Sequence, residues 1–486
     1  MKICLVTAFP PSGRQLNEYA FHIARELQSN PMVDLTILGD ELGNYDFTTD
    51  QDGKQLNADG ELPGFKVVRC WKFNHLGTPV RLLNSIRRLQ PDVVWFNLVF
   101  STFATQEHPI TAFAGLCSPA LTRMMGCYTH VTLHHIIEHV DFAGAGVRQE
   151  RLFRLGSDMA TRTLLKANSV TVLLSGYHRT LTEKYSAENV VLGTHGIFAN
   201  CPNPPDFSKR GNPHQRIVAI GHWGTYKRLE TLMEAFPMVL ARVPNAQLVI
   251  GGANHHTTPG YWESIRETNK SNSRISFLGY VPNEAIPELF ATASVLVMPY
   301  DSATGSSGPA HQACEYGVPI VSADIPDFRV MAADEEMAII FYKTGDATDL
   351  ADKLADLLQS PERQGEMAEQ NFSAAVRMTM PTVVRHYMRW FELAKRKRAM
   401  GPFLQPSSAR WRRLGLGSAS RHPFLDWSQS GDGAQDLAVQ AHDGQANGEQ
   451  RNGFSDHGIS WQPQSAGDED FQAPGNSKPA RQRRHG

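Results

Sequence analysis

The chain has 486 residues, of which 41% are hydrophobic and 20% charged. That is length for two large domains or three ordinary ones, with enough apolar material for packed cores, so a wholly disordered or fibrous chain is excluded. Basic residues number 47 and acidic ones 49, a formal net charge of −2, so no global positive field is available for a phosphate backbone and no nucleic-acid partner is expected.

Ile3 to Phe9 is an apolar run that ends in Pro10-Pro11-Ser12-Gly13. Ala20, Ile23, Ala24 and Leu27 then recur at helical spacing before the run 35–38, which is a βαβ pattern. Short β-branched runs follow at 65–71, 93–98, 131–134, 170–174 and 190–192. Their continuous apolar character predicts a parallel sheet covered on both faces. Pro202, Pro204, Pro205, Gly211 and Pro213 break up 201–214, which reads as a linker. A second series then predicts strands at 217–220, 248–250, 275–278, 295–298, 318–321 and 338–341, with a helix over 229–243. Two such lobes frame a cleft, and ligands of parallel sheets sit at the carboxyl ends of the strands. Beyond them, Val383, Val384, Tyr387, Met388, Trp390 and Phe391 form an apolar helical stretch ending in Lys395-Arg396-Lys397-Arg398. Only 11 of the 86 residues from Gly401 to Gly486 are Leu, Ile, Val or Phe, below the roughly 20% a folding segment needs, so this tail is expected to be disordered.

The six cysteines, Cys4, Cys70, Cys117, Cys127, Cys201 and Cys314, form no C-x-x-C pair, which fits a reducing compartment. The first strand-like run starts directly after Met1-Lys2, and Ser118, Pro119 and Arg123 interrupt the apolar stretch 109–125. Neither a signal peptide nor a membrane-spanning helix is expected, and the expected location is cytoplasmic.

Two segments carry chemistry. In Gly221-His222-Trp223-Gly224-Thr225-Tyr226-Lys227-Arg228-Leu229 a strand ends, a glycine turn follows, and Lys227 stands just before a helix. A lysine there reaches an anion while the helix-start amides add partial positive charge. The plain alternative is a surface lysine. From Met298 to Pro319 a strand runs into the Gly/Ser-rich loop around Gly305-Ser306-Ser307-Gly308, then a helix carrying Glu315. The loop's amides and hydroxyls suit a diphosphate, and the carboxylate of Glu315 suits the vicinal hydroxyls of a ribose. A plain connector and a solvated helix-end charge are the alternatives.

Together these residues resemble the retaining glycosyltransferases of family 4. The resemblance covers about residues 1 to 397 and is strongest over 217–371, where Val218-Ala219-Ile220-Gly221 with Lys227 looks like the family's glycine-to-lysine segment. It implies an α/β GT-B fold of two Rossmann-like lobes: an N-terminal acceptor-side lobe over 1–200, the linker 201–214, and a donor-binding lobe over 215–375. A closing helix over 376–398 would return to the N-terminal lobe, and the tail would be 399–486. It also implies a nucleotide sugar as donor substrate, no other cofactor, no bound metal, and a saccharide or lipid-linked acceptor. Lys227, Gly221, Ser306, Ser307 and Gly308 would hold the donor diphosphate, with Gly13 opposite, and Glu315 the ribose. His134, at the end of Val131-Thr132-Leu133-His134-His135, would lie near the reacting sugar, and His195 stands where the hinge-side segment has asparagine. The family's first carboxylate is replaced here by Ser307, and the arginine after its first glycine by His222.

Other readings compete. A non-catalytic nucleotide-sugar scaffold would explain Ser307 and His222, and a sugar-nucleotide epimerase would need cleft carboxylates that the sequence does not single out. His135-Ile136-Ile137-Glu138-His139 spells the H-x-x-E-H peptidase pattern, which requires one helix to carry both histidines. The basic cluster 395–398 makes peripheral contact with an anionic membrane surface a further expectation, beside the plainer role of the apolar stripe as a staple between lobes.

Overall fold

The computed structural model describes residues 1–12, 14–42, 62–105, 107–139, 150–205, 207, 215–255 and 258–404. Gly13, most of the linker and the tail from 405 onward lie outside the described residues.

Thirteen described strands form two sheets. The first sheet holds β1 (Lys2–Val6), β2 (Asp34–Asp40), β3 (Val67–Trp71), β4 (Val93–Leu98), β5 (Tyr128–Leu133), β6 (Ser169–Val172) and β7 (Val190–Leu192). The second holds β8 (Arg216–Trp223), β9 (Gln247–Asn254), β10 (Ile275–Gly279), β11 (Val295–Met298), β12 (Ile320–Ala323) and β13 (Ile339–Tyr342). The strand orders are β3-β2-β1-β4-β5-β6-β7 and β10-β9-β8-β11-β12-β13, and every pairing is parallel. Both orders reverse once, between β1 and β4 and between β8 and β11. Such switch points open crevices at the carboxyl ends of the strands. The expected two-lobed α/β architecture is therefore present, with a strand at each position read from a β-branched run.

In the first sheet, side chains that alternate along a strand enter different cores, as a period of two requires. In β4, Val94, Phe96 and Leu98 join the larger core, while Val93 and Trp95 join a second cluster on the other face. That second cluster contains helix Asn17–Ser29 residues Tyr19, Ala20, Ile23, Ala24 and Leu27 together with Val383, Val384, Tyr387, Met388 and Phe391 of the helix Met380–Leu404. Trp95 anchors the contact: its ring lies 4.4 Å from Tyr387 and 5.4 Å from Phe391, and its indole N–H donates to Thr132 Oγ1 at 2.9 Å. The apolar stripe of the last helix is thus spent inside the N-terminal lobe, and the helix continues past Arg398. Among the described residues no helix is long and apolar enough to cross a membrane.

Candidate functional site

Lys227 is positioned by a tight turn. Gly224 N–H donates to the Lys227 carbonyl at 2.9 Å and Lys227 N–H returns the bond to the Gly224 carbonyl at 3.1 Å, with Gly224 at φ +109°. A Cβ on Gly224 would stand 1.9 Å from Thr258 Oγ1, so only glycine closes the turn here. The turn follows β8 and precedes the helix Glu230–Arg242. It brings the ammonium of Lys227 over the ring of Tyr300, 4.9 Å from its centroid, and Tyr300 follows β11 across the switch point. Asp301 N–H donates to the Tyr226 carbonyl at 2.9 Å, which ties the two strand-end loops together.

The electrostatics around this lysine are unusual. Lys227 is half-buried, and burial lowers its ammonium to about 8. Among the described residues no carboxylate pairs with it, because Glu230 is engaged by Arg228 at 2.9 Å and by the Tyr261 hydroxyl at 2.7 Å. The buried Tyr300 hydroxyl and the buried Ser306 Oγ also lack hydrogen-bond partners among the described residues. A cation without a carboxylate partner, over a ring whose hydroxyl is also unspent, has the chemistry to take an anion with several acceptor oxygens.

The Gly/Ser loop is held from both lobes. Gly305, at φ +83°, donates its amide to Asp327 Oδ2 at 2.9 Å and to the Tyr177 hydroxyl at 2.6 Å. A Cβ there would stand 2.7 Å from the His134 carbonyl oxygen, so glycine is required where the C-terminal lobe meets the end of β5. Asp327 is 3% exposed and also accepts from the Tyr177 hydroxyl and from His139 Nδ1, the latter at 2.8 Å. Of the expected diphosphate amides, that of Ser307 faces Met331 Sδ at 3.4 Å. Those of Ser306 and Gly308 donate to no group among the described residues. Ser307 caps the helix Gly308–Glu315: its Oγ accepts from Ala310 N–H at 3.4 Å and lies 3.3 Å from Met298 Sδ. The serine that replaces the expected carboxylate is therefore turned into the core as a helix cap.

The remaining candidates sit along the seam between the lobes. His134 is 7% exposed, its Nε2 lies 2.7 Å from Asn97 Oδ1, and its ring meets Tyr19 edge-on at 4.7 Å. Asn97 spends its amide N–H on Thr7 Oγ1 at 3.2 Å, which makes Oδ1 the acceptor and Nε2 the protonated nitrogen of a neutral imidazole. Burial lowers His134 to about 3. Its ring is thus enclosed, and its peptide oxygen is what meets the Gly305 loop. Glu315 accepts from Ala199 N–H at 3.3 Å, across the seam, and burial raises its carboxyl against the pull of that amide. The rings of His195 and His311 lie 4.4 Å apart, tilted by 39°. Burial alone would lower His311, but the Glu335 carboxylate 2.8 Å from its Nε2 outweighs that and raises it.

Gly221, Lys227 and Tyr300 come together at one switch point, and Gly305, next to Ser306, meets the backbone of His134. Gly13 lies outside the described residues. The sequence reading did not single out Asp327, Tyr177, Tyr300, His311 or Glu335. Only Tyr300 carried a usable signal, standing directly after a predicted strand end. The H-x-x-E-H segment is not built as a peptidase site: only Ile137–His139 form a single 3₁₀ turn, and Glu138 is held by the Tyr185 hydroxyl and by Lys184 at 3.1 Å. Among the described residues no group of three His, Cys, Asp or Glu could hold a metal ion.

The buried His130 and His134 and the half-buried His135 give a pH dependence. Burial lowers His130 and His134 to about 3 and His135 to about 4. Their unfolded values lie near 6.5, so below that pH the unfolded chain binds protons the folded chain refuses. Stability is full above pH ~6.5 and is lost as pH falls toward 4, by up to about 1.4 kcal/mol per pH unit for each histidine. Guanidinium unfolding at pH 7 and pH 5 should show the lower midpoint at pH 5, with a shallower fall in His130→Gln. Equal slopes for the two proteins would contradict the assignment.

Residues 214–360 match the family described as Glycosyl transferases group 1. No curated protein matches the chain. Among solved structures, sucrose-phosphate synthase from Thermosynechococcus elongatus aligns at 14% identity over 81% of this chain and 99% of its own, with a TM-score of 0.62. Anabaena HepE in complex with UDP and glucose aligns at 14% identity over 81% and 99%, with a TM-score of 0.56. A glycosyltransferase from Rickettsia africae aligns at 11% over 80% and 97%, also at 0.56. The chain therefore has the two-lobed GT-B fold, and its C-terminal lobe carries the segment similar to group 1 glycosyltransferases.

Proposed function

We propose that the chain is a retaining, metal-independent glycosyltransferase of the family 4 type, working in the cytoplasm. It moves a sugar from a nucleotide sugar to the hydroxyl of a saccharide or lipid-linked acceptor. The observation that carries this reading is the acid-free, partly desolvated Lys227 at the β8/β11 switch point, inside the segment similar to group 1 glycosyltransferases. As the nucleoside diphosphate departs, negative charge grows on its phosphates. Lys227, the free amides of Ser306 and Gly308 and the hydroxyls of Ser306 and Tyr300 stabilise it more than they stabilise the ground state. Gly221 lets the diphosphate approach β8, and Gly13 is assigned to the opposite side. His134 acts as a neutral hydrogen-bonding group and not as a charged acid.

Glu315 is assigned to the ribose. Nucleoside binding replaces part of the engagement of Glu315 by Ala199, Phe198 and Tyr316 with two bonds from vicinal hydroxyls, so Glu315→Gln should weaken free nucleoside diphosphate by about 1–2 kcal/mol in calorimetry. Normal affinity in that variant would remove the role.

A second reading, a nucleotide-sugar-binding scaffold without turnover, is favoured by one observation: Ser307 serves as a helix cap where the family has a carboxylate. A calorimetric panel of nucleotide sugars, beginning with UDP-glucose because HepE structures hold UDP or UDP-glucose, followed by product analysis by NMR, separates them. Product with the donor's anomeric configuration supports the transferase, inversion contradicts retention, and tight binding with no product supports the scaffold.

A further inference from the structure

A cavity lies at the amino ends of β5 and β6 in the N-terminal sheet. Gly126, Cys127 and Tyr128 at the start of β5 and Asn168 just before β6 line it, with Arg123 and the helix residues Trp390, Leu393, Ala394, Lys397 and Arg398. These are the amino ends of parallel strands, opposite the carboxyl end of β5 where His134 stands, so this groove is separate from the proposed donor site. Its volume is about 560 Å³, within the range of small-ligand sites.

The charge in the groove is one-sided. Arg123, Lys397 and Arg398 line it, and among the described residues no Asp or Glu does. Arg123 is held by the Lys166 carbonyl at 2.7 Å and Arg398 by the Gly126 carbonyl. Neutral acceptors thus fix both guanidinium groups while leaving their charges and most of their N–H donors unspent. Asp92, just before β4, is already taken by Lys395 at 3.1 Å. Beside the cations lies a fixed aromatic surface: Trp390 donates its indole N–H to the Tyr128 hydroxyl at 3.1 Å, and that hydroxyl is 2.8 Å from Ser169 Oγ. Exposed apolar side chains neighbour the groove in sequence: Met124 at 82%, Met125 at 41% and Met400 at 50%, with Leu393 in its wall at 41%. A soluble surface has no reason to place three uncompensated cations and this much exposed apolar area together, unless both are to be covered.

We propose that this groove binds an amphiphilic phosphate ester, with the phosphate on Arg123, Lys397 and Arg398 and the apolar arm over Trp390 and Leu393. Two guanidinium forks and one ammonium match the geometry and the near-double charge of a phosphate monoester better than a carboxylate. The same chemistry is offered by a phospholipid headgroup in a bilayer and by a single soluble alkyl phosphate.

The test uses the full chain with two probes: octyl phosphate below its micelle concentration, followed by calorimetry, and vesicles of phosphatidylcholine with or without phosphatidic acid, followed by co-sedimentation. The wild type should bind octyl phosphate, and Arg123→Gln/Lys397→Gln/Arg398→Gln should bind it at least about tenfold more weakly while its melting temperature and nucleotide-sugar affinity stay unchanged. The single change Lys397→Glu, on an exposed side chain, provides an independent loss. Binding to both octyl phosphate and phosphatidic-acid vesicles, lost in the variants, identifies a bilayer headgroup. Binding to octyl phosphate alone identifies a soluble phosphate ester. Failure of the wild type to bind either probe, or equal binding by wild type and variants, overturns the proposal.

Discussion

Lys227→Ala should lower turnover with the cognate donor by about 10²–10³-fold, some 2.7–4 kcal/mol of barrier, the usual effect of removing one preorganised donor from a developing oxyanion. The fold should survive, since the Gly224–Lys227 turn is closed by backbone bonds that alanine keeps. Because burial already lowers the ammonium to about 8, the wild-type rate should also fall above pH ~8 as the unliganded lysine loses its proton. Kinetics across pH 6 to 10 on wild type, Lys227→Ala and Lys227→Arg check both points. A Lys227→Ala enzyme with wild-type rate would take this residue out of the site.

Asp327→Ala should be the most destabilising single change near the seam. It leaves the buried Tyr177 hydroxyl and the half-exposed His139 ring without their acceptor in one step and takes from the buried Gly305 amide one of its two acceptors. Orphaned buried donors cost about 1–3 kcal/mol each, so a loss of about 3–5 kcal/mol is expected in guanidinium unfolding. Asp327→Asn keeps one acceptor oxygen and should lose less. Since Asp327 also fixes the Gly305 loop against the N-terminal lobe, donor affinity should weaken in the Asn variant even where it remains folded. An Asp327→Ala protein with the wild-type midpoint would contradict the role given to this carboxylate.

The lobes were legible in the sequence because continuous runs such as Val93–Leu98 and Val295–Met298 have one physical use, a strand covered on both faces. The turn at Lys227 was legible for a local reason, a glycine between a strand end and a helix start. What the sequence hid depends on tertiary approach. Asp327 reads as an ordinary acid in the first turn of the helix Pro326–Asp334, and only the arrival of Tyr177 and His139 from the other lobe makes it a hub. Ser307 reads as a diphosphate donor, yet the packing of Met298 and Met331 turns it inward. Glu315 reads as an open carboxylate, and the return of the chain at Ala199 engages it. His134 reads as a histidine at a strand end, where its backbone proves to be the part that meets the other lobe.

The central claim is that donor binds where β8 and β11 end, and hydrogen exchange in the presence of saturating nucleotide sugar tests it most directly. Protection should appear in peptides covering 221–227 and 302–308, strongest at the amides of Ser306 and Gly308, and should be lost in Lys227→Ala at the same donor concentration. Protection confined to other segments, with these two unchanged in the donor-bound wild type, would contradict the assignment.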